Sequence, residues 1–516
     1  MTISLTRNVS QLALAAALAG VTVPARATDP SAAQTTPAKT PACDADVLLD
    51  FFQKKGLISS QDVKDAEAAL ASRTNNAPPD VFGSKWKVAN TFESVQLYGD
   101  VRFRYEYRGV NNAPGATPDT YYRERFRYAV RAGLRGDIKD DFNFGIRLET
   151  SSNPRSPWDT FGNNTTAGSV TPGDKNAASV YLEQVYLGWH PAKWFEMTVG
   201  RMAMPLYTTP MVWDSDINPE GAFEKFKYSF KQADLFADFA QFDYQDPSSA
   251  AEVPSSDTFI LAWQLGAQVN INKDMYFKVA PVYYLYNGVG SSGNGLNLPF
   301  VGQGNAAGAN VGVPGASAAN LAGYNQNGIN NLEILEIPAE YAYTFQADGL
   351  GPMQVRAFGD FAYNFSGADR ANAAFKANPA AFPGANGPLS GQDKAYQVGL
   401  GIGSAGIKYG PAQGLVYGTT AQKHAWEARA YWQRVEQYAL DVNLLDSDFF
   451  EGRGNLQGVY SALSYGFTDA IIGTLRYGHA YRINGNVGTG GNNLDIPGLN
   501  PINYYNLYQL DLTWRF

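Results

Sequence analysis

The 516-residue chain holds one cysteine, Cys43, and three histidines, His190, His424 and His479. A single cysteine closes no internal disulfide. "TPAC" also lacks the apolar residue and the place behind a signal expected of a lipid-anchored cysteine, so Cys43 reads as an incidental thiol. The histidines are scattered without metal-ligand spacing, and no cofactor is implied. Past the amino terminus no eighteen apolar residues run together, which leaves no helix fit to cross a bilayer. Charged residues make up only 17%, with a formal net charge of −8, a poor balance for a nucleic-acid partner. Disulfide scaffold, metal centre and helical membrane protein are all disfavoured.

Aromatic side chains, by contrast, are 13% of the chain, and there are 52 glycines. The amino terminus has a basic start at Arg7, an apolar run from about Leu12 to Val23, and the small-residue site Ala25-Arg26-Ala27. That pattern predicts a secretory signal over residues 1–27, and its loss makes the chain more acidic. Residues 28–43 are rich in Ala, Thr, Pro and Ser and read as a flexible linker. Residues 44–73 turn to helical spacing: Val47, Leu48, Phe51 and Phe52 form a stripe, Gly56 ends it, and Ser59 or Ser60 can cap a second helix. This predicts a small helical hairpin, either a spacer or a docking element, followed by a linker over 74–94.

From Val95 the period changes to two. In "VQLYGDVRFRYEYR" Val95, Leu97, Val101, Phe103, Tyr105 and Tyr107 fall on one face, and Arg102, Arg104 and Arg108 on the other. In "RERFRYAVRAGLRGDI" Phe126, Tyr128, Val130 and Leu134 oppose Arg123, Arg125, Arg127, Arg131 and Arg135. "FNFGIRLE" sets Phe142, Phe144, Ile146 and Leu148 against Arg147. The strands reach the length of about nine to eleven residues that a tilted strand needs to cross a bilayer. Sixteen such segments follow one another to the carboxyl terminus, and their links alternate short and long. Short ones include "GDIKDD", "HPAK", "NKD" and "QADGLG". The link 407–423 is long where a short one belongs, which keeps eighteen strands open. Pro281 and Pro338 fall inside predicted strands and should mark bulges.

An all-β, antiparallel up-and-down barrel over 95–516 accounts for this spacing: tight turns on the inner rim, long loops outside. An even strand number leaves the amino-terminal segment in the periplasm. Trp514 and Phe516 belong to an aromatic girdle, and the last strand should close against the one at Val95. An Arg facing lipid at mid-membrane costs about 2–4 kcal/mol. Five in a row would cost on the order of 10 kcal/mol, as much as a whole domain's stability. The arginine face therefore lines water. After the fifth strand, "PLYTTPMVWDSDINPEG" carries Asp214, Asp216 and Glu220. Folded inward, it would set carboxylates across a constriction from the arginines. One charge acts on an ion ~10 Å away in water with about 0.4 kcal/mol, so the wall gives a modest anion bias rather than an absolute filter.

Several stretches, "YGDVRFRYEYR", "RERFRYAVRAGLRGDIKDDFNFGIRLETSSNP", "VYLEQVYLGWHPAKWFEMTVGRMAMPLY" and "MVWDSDINPEG", resemble the putative porins of Gram-negative bacteria. "LLDFFQKKGLISSQDVKDAEAAL" is similar to the periplasmic segment before their barrels. The resemblance implies an outer-membrane channel for ions and small polar solutes, surrounded by lipid. The carboxyl-terminal aromatic resembles the signal read by the barrel assembly machinery. A homotrimer is one assembly the reading admits. Two rivals exist. A barrel hydrolase would need a His beside Ser or Asp near the outer rim, but His190 and His424 fall at inner turns and His479 has no evident partner. A structural or display barrel with a plugged lumen would also carry long Gly- and Asn-rich loops.

Overall fold

The structure is a computed structural model, and it describes residues 89, 91–112, 120–151, 156–162, 179–245, 258–288, 332–368, 391–405, 422–485, 489 and 502–516. The signal, both linkers' greater part and the helical hairpin of 44–73 lie outside the described residues. The chain divides into a unit ending at Thr91 and a second, Phe92–Phe516. The second unit is a closed antiparallel barrel.

Its strands are β1 (Gln96–Asn112), β2 (Thr120–Ile138), β3 (Phe142–Ser151), β4 (Asp159–Thr160), β5 (Ser179–Ala192), β6 (Phe195–Arg201), β7 (Glu220–Ser229), β8 (Ala233–Gln245) and β9 (Thr258–Asn270). They continue with β10 (Met275–Val279), β11 (Val282–Gly288), β12 (Glu333–Glu336), β13 (Ala339–Ala347), β14 (Gly351–Asn364) and β15 (Lys394–Ser404). The last are β16 (Trp426–Val435), β17 (Leu456–Gly466), β18 (Ile471–Arg482) and β19 (Ile502–Arg515). β4 is a two-residue extension beside β2, and β10/β11 and β12/β13 are each one broken span, so the wall has sixteen spans. Every predicted strand is present. β15 pairs directly with β16, from Ala395↔Val435 to Gly403↔Glu427, so no further span stands between them and the eighteen-strand alternative falls.

Closure joins the ends of the unit. β1 pairs with β19 from Asp100↔Arg515 to Asn112↔Ile502, and Gly99 exchanges backbone hydrogen bonds with Phe516 at 3.0 and 3.2 Å. A Cβ on Gly99 would lie 2.6 Å from the Phe516 ring, so the glycine makes room for the aromatic that seals the seam. Alternation divides the two faces cleanly. Leu97 is 63% exposed and Phe126 62%, whereas Arg104 and Arg108 are 2% and 1% exposed. The apolar face points out of the barrel and the arginine face inward.

The two prolines produce a break rather than a simple bulge. In an unbroken ladder Ala280 and the residue at 338 would exchange both bonds; Ala280 donates to the Pro338 carbonyl (3.1 Å), but Pro338 has no N–H to return. The Ala280 carbonyl instead accepts from the Gln264 side chain on β9 (3.0 Å).

A hydrophobic core also lies inside the barrel. Met202, Leu206, Met211 and Trp213, between β6 and β7, pack with Leu440, Val442 and Leu444, between β16 and β17, against Phe242, Ile260 and Tyr284 of the wall. Two connecting segments, 202–219 and 436–455, therefore fold into the lumen.

Candidate functional site

The segment 202–219 is fastened across the barrel. Gln264, held by the Ala280 carbonyl, donates to the Tyr207 carbonyl and accepts from the Tyr207 N–H, both at 2.8 Å. Thr208 donates to Glu336 on β12 (2.6 Å) and Thr209 to Asp360 on β14 (2.5 Å), on the same stretch of wall as Gln264. The proline break thus supplies the free carbonyl on which the inward loop is anchored. Segment 436–455 is held by the Tyr244 hydroxyl, which donates to Asp441 (2.7 Å), and by Asn364, which donates to the Tyr438 carbonyl (2.7 Å).

The two loops meet at four aspartates. The Asp214 N–H donates to the Leu444 carbonyl (2.6 Å), the Ser447 N–H to the Asp214 carboxylate (3.2 Å), and the Asp446 N–H to the Pro210 carbonyl (3.3 Å). Burial pushes Asp214 well up, helped by Asp446 and Asp216. Burial likewise raises Asp216 to about 6 against the pull of Arg131, and Asp446 to about 7 beside Asp448. Asp448 goes the other way: enclosure opposes its charge, but Arg104 holds it low. Glu220 stands apart. It is exposed, opens β7, and faces Arg201 at 3.4 Å.

The arginine wall is deeply neutralised. Glu106, fully buried, lies 2.5 Å from Arg125, 3.0 Å from Arg108, and 3.8 Å from both Arg104 and Arg127. Arg104 also contacts Asp511 (2.8 Å) and Asp448 (2.6 Å), and its guanidinium carbon sits over the Trp158 ring, 3.9 Å from the ring centre. Arg131 contacts Asp100 (3.1 Å), Glu183 (3.6 Å) and Asp216 (3.7 Å); Arg102 pairs with Asp100 (2.6 Å) and Arg147 with Glu183. Arg123 is half-buried and engaged as well. Arg135 differs: it is exposed, donates to the Gln96 side chain (3.0 Å), and stacks on Tyr98 at 4.5 Å.

Sequence reasoning missed the second inward loop, with Asp446, Asp448 and Glu451, and the inward Arg356, Arg429 and Arg476. The loop had a legible signal: Val442, Leu444, Leu445, Phe449 and Phe450 are too apolar for an outer loop. Of the histidines, His479 does have a partner, Asn506 at 2.8 Å, and His424 meets the Tyr465 hydroxyl at 2.8 Å.

The family model described as putative porin matches residues 112–516, nearly the whole barrel. The chain belongs to the putative porin family. It is an outer-membrane porin, and family and fold together imply a channel. No curated protein matches this porin in sequence. Solved structures similar to it include Pseudomonas putida OprB at high pH, with 12% identity, 81% of this chain and 94% of that one covered, and a TM-score of 0.44. A triple mutant of Rhodopseudomonas blastica porin shares 12% identity over 82% and 100% of the two chains at a TM-score of 0.34. OmpT of Vibrio cholerae shares 10% over 82% and 97%, at 0.35.

Proposed function

We propose that this porin passes ions and small hydrophilic solutes through a lumen walled by the arginines of β1–β3 and narrowed by the loop bearing Asp214 and Asp216. The single observation that carries the reading is the anchored loop crossing the lumen, fastened at Gln264, Glu336 and Asp360. Because Arg102, Arg104, Arg108, Arg125, Arg127, Arg131 and Arg147 all lie close to carboxylates, the net field on a passing ion is small. The anion bias is correspondingly modest. Conductance in a planar bilayer under a salt gradient tests this: steps of an open pore with a small anion-directed reversal potential are expected. The apolar packing of both loops inside the barrel favours a second reading, a plugged display barrel, which predicts no conductance.

The even span number supports a periplasmic amino-terminal segment, and the Trp514/Phe516 strand end supports recognition by the assembly machinery. A homotrimer is supported by the outer wall at β6–β8. There Arg201, Glu220 and Asp243 form the top, and Glu224, bonded to Gln241 (3.1 Å), sits only two residues above Phe226. That apolar band is too short for hydrocarbon about 25 Å thick and suits another copy.

A further inference from the structure

On the outer wall, a groove of about 600 Å3 runs across β17, β18, β19, β1 and β2. The register explains it. One row of outward positions reads Tyr465, Gly473, Leu512 and Phe103 across four strands. The next row reads Leu463, Leu475, Leu510 and Tyr105. Gly473 is the only member of either row without a side chain, so a notch opens between Tyr465 and Leu512. A Cβ on Gly473 would lie 2.8 Å from the Phe467 ring, which leans toward the notch from the β17–β18 turn. Phe126 and Phe161 close the far side, and the lining is almost wholly apolar.

At its short-turn end the groove meets basic groups. The hydroxyl of Tyr465, which lines the groove, lies 2.8 Å from His424 Nδ1. The His424 N–H donates to the Gly466 carbonyl (2.7 Å), which ties the segment before β16 to the end of β17. Lys423 and His424 are both exposed there. Asp469, in the β17–β18 turn, accepts the backbone N–H of Lys423 at 2.9 Å. Among the described residues no carboxylate lies within ion-pair reach of the Lys423 ammonium.

We propose that this groove is a binding site for an anionic glycerophospholipid of the inner leaflet. One acyl chain lies in the groove, and the lipid phosphate sits beside Lys423 and His424. The wall here faces hydrocarbon, where no water is at hand to fill a recess. An alkyl chain seated in the notch touches protein on several sides and gains dispersion contacts that a flat wall does not offer. An ammonium binds phosphate as a point charge without demanding one approach. Trp514, two residues below Leu512 on β19, stands where the rings of an aromatic girdle meet headgroups. The short apolar band that suits a second copy lies elsewhere on the wall, at β6–β8.

The test counts, by native mass spectrometry, the lipids kept by the porin after detergent extraction from mixed phosphatidylglycerol and phosphatidylcholine vesicles. Wild-type protein should keep phosphatidylglycerol several times more often than phosphatidylcholine. Lys423→Gln should bring the two lipids to equal retention, and Gly473→Leu should lower retention of both several-fold. Heat-modifiable electrophoretic mobility, recorded on each preparation, shows that the barrel is folded. Lys423 is exposed on the rim, so its variant decides the matter even where Gly473→Leu does not fold. Equal retention of the two lipids by the wild type, or an unchanged preference in folded Lys423→Gln, overturns the site. A changed particle mass in Gly473→Leu with lipid retention unaltered assigns the groove to contact between copies and overturns it too.

Discussion

At the scale of single residues, Glu106 governs the arginine wall. Four guanidiniums lie within 4 Å of it, and Gln509 donates to it at 2.8 Å. Removing one partner of a buried ionic cluster costs about 3–5 kcal/mol, because the remaining charges stay desolvated. Glu106→Gln should therefore lower the temperature at which the barrel loses its compact electrophoretic mobility, and in surviving channels it should shift the reversal potential further toward anions. Parity sets these arginines on the face opposite the exposed apolar residues. Part of their neutralisation lies on the same strand, in Asp100 and Glu106, but Asp448 and Asp511 come from strands and loops more than 300 residues away and left no trace in the local pattern.

At the scale of elements, the junction between the two inward loops should respond to pH. Asp446 titrates near 7 and Asp216 near 6 with the loops packed, against roughly 4 for a free aspartate. Between those values the packed state binds more protons, so packing is strongest at low pH and weakens as pH rises through 6 and 7. The groups facing the junction are Asp214, Asp448 and Glu183 on the acidic side and Arg104 and Arg131 on the basic side. Single-channel records should show more frequent wide-open events at pH 8 than at pH 5, and Asp446→Asn should flatten that dependence. Pro338 matters at this scale too. It frees the carbonyl that Gln264 takes, so Gln264→Ala should raise loop-related current noise without abolishing the barrel.

At the scale of the molecule, the outer wall is uneven. Leu97, Phe103, Leu510 and Leu512 form a thick apolar belt around the seam, while β6–β8 carry Glu224 and Gln241 outward. If another copy covers this face, replacing both by leucine should dissociate the extracted oligomer in light scattering. An unchanged particle mass would count against the homotrimer.

The sequence by itself determined the barrel and its two alternating faces, while sixteen spans stood beside eighteen until the direct β15–β16 pairing decided between them. Period-two alternation is a local property, and the cost of burying charge in hydrocarbon leaves one orientation. It also raised an inward loop, through the acidic residues after the fifth strand. Tertiary structure alone decided where that loop is fastened, that 436–455 joins it, and which distant carboxylates meet the arginines of β1. Those outcomes depend on side chains brought together by closure of the sheet, and one-dimensional spacing carries no record of them.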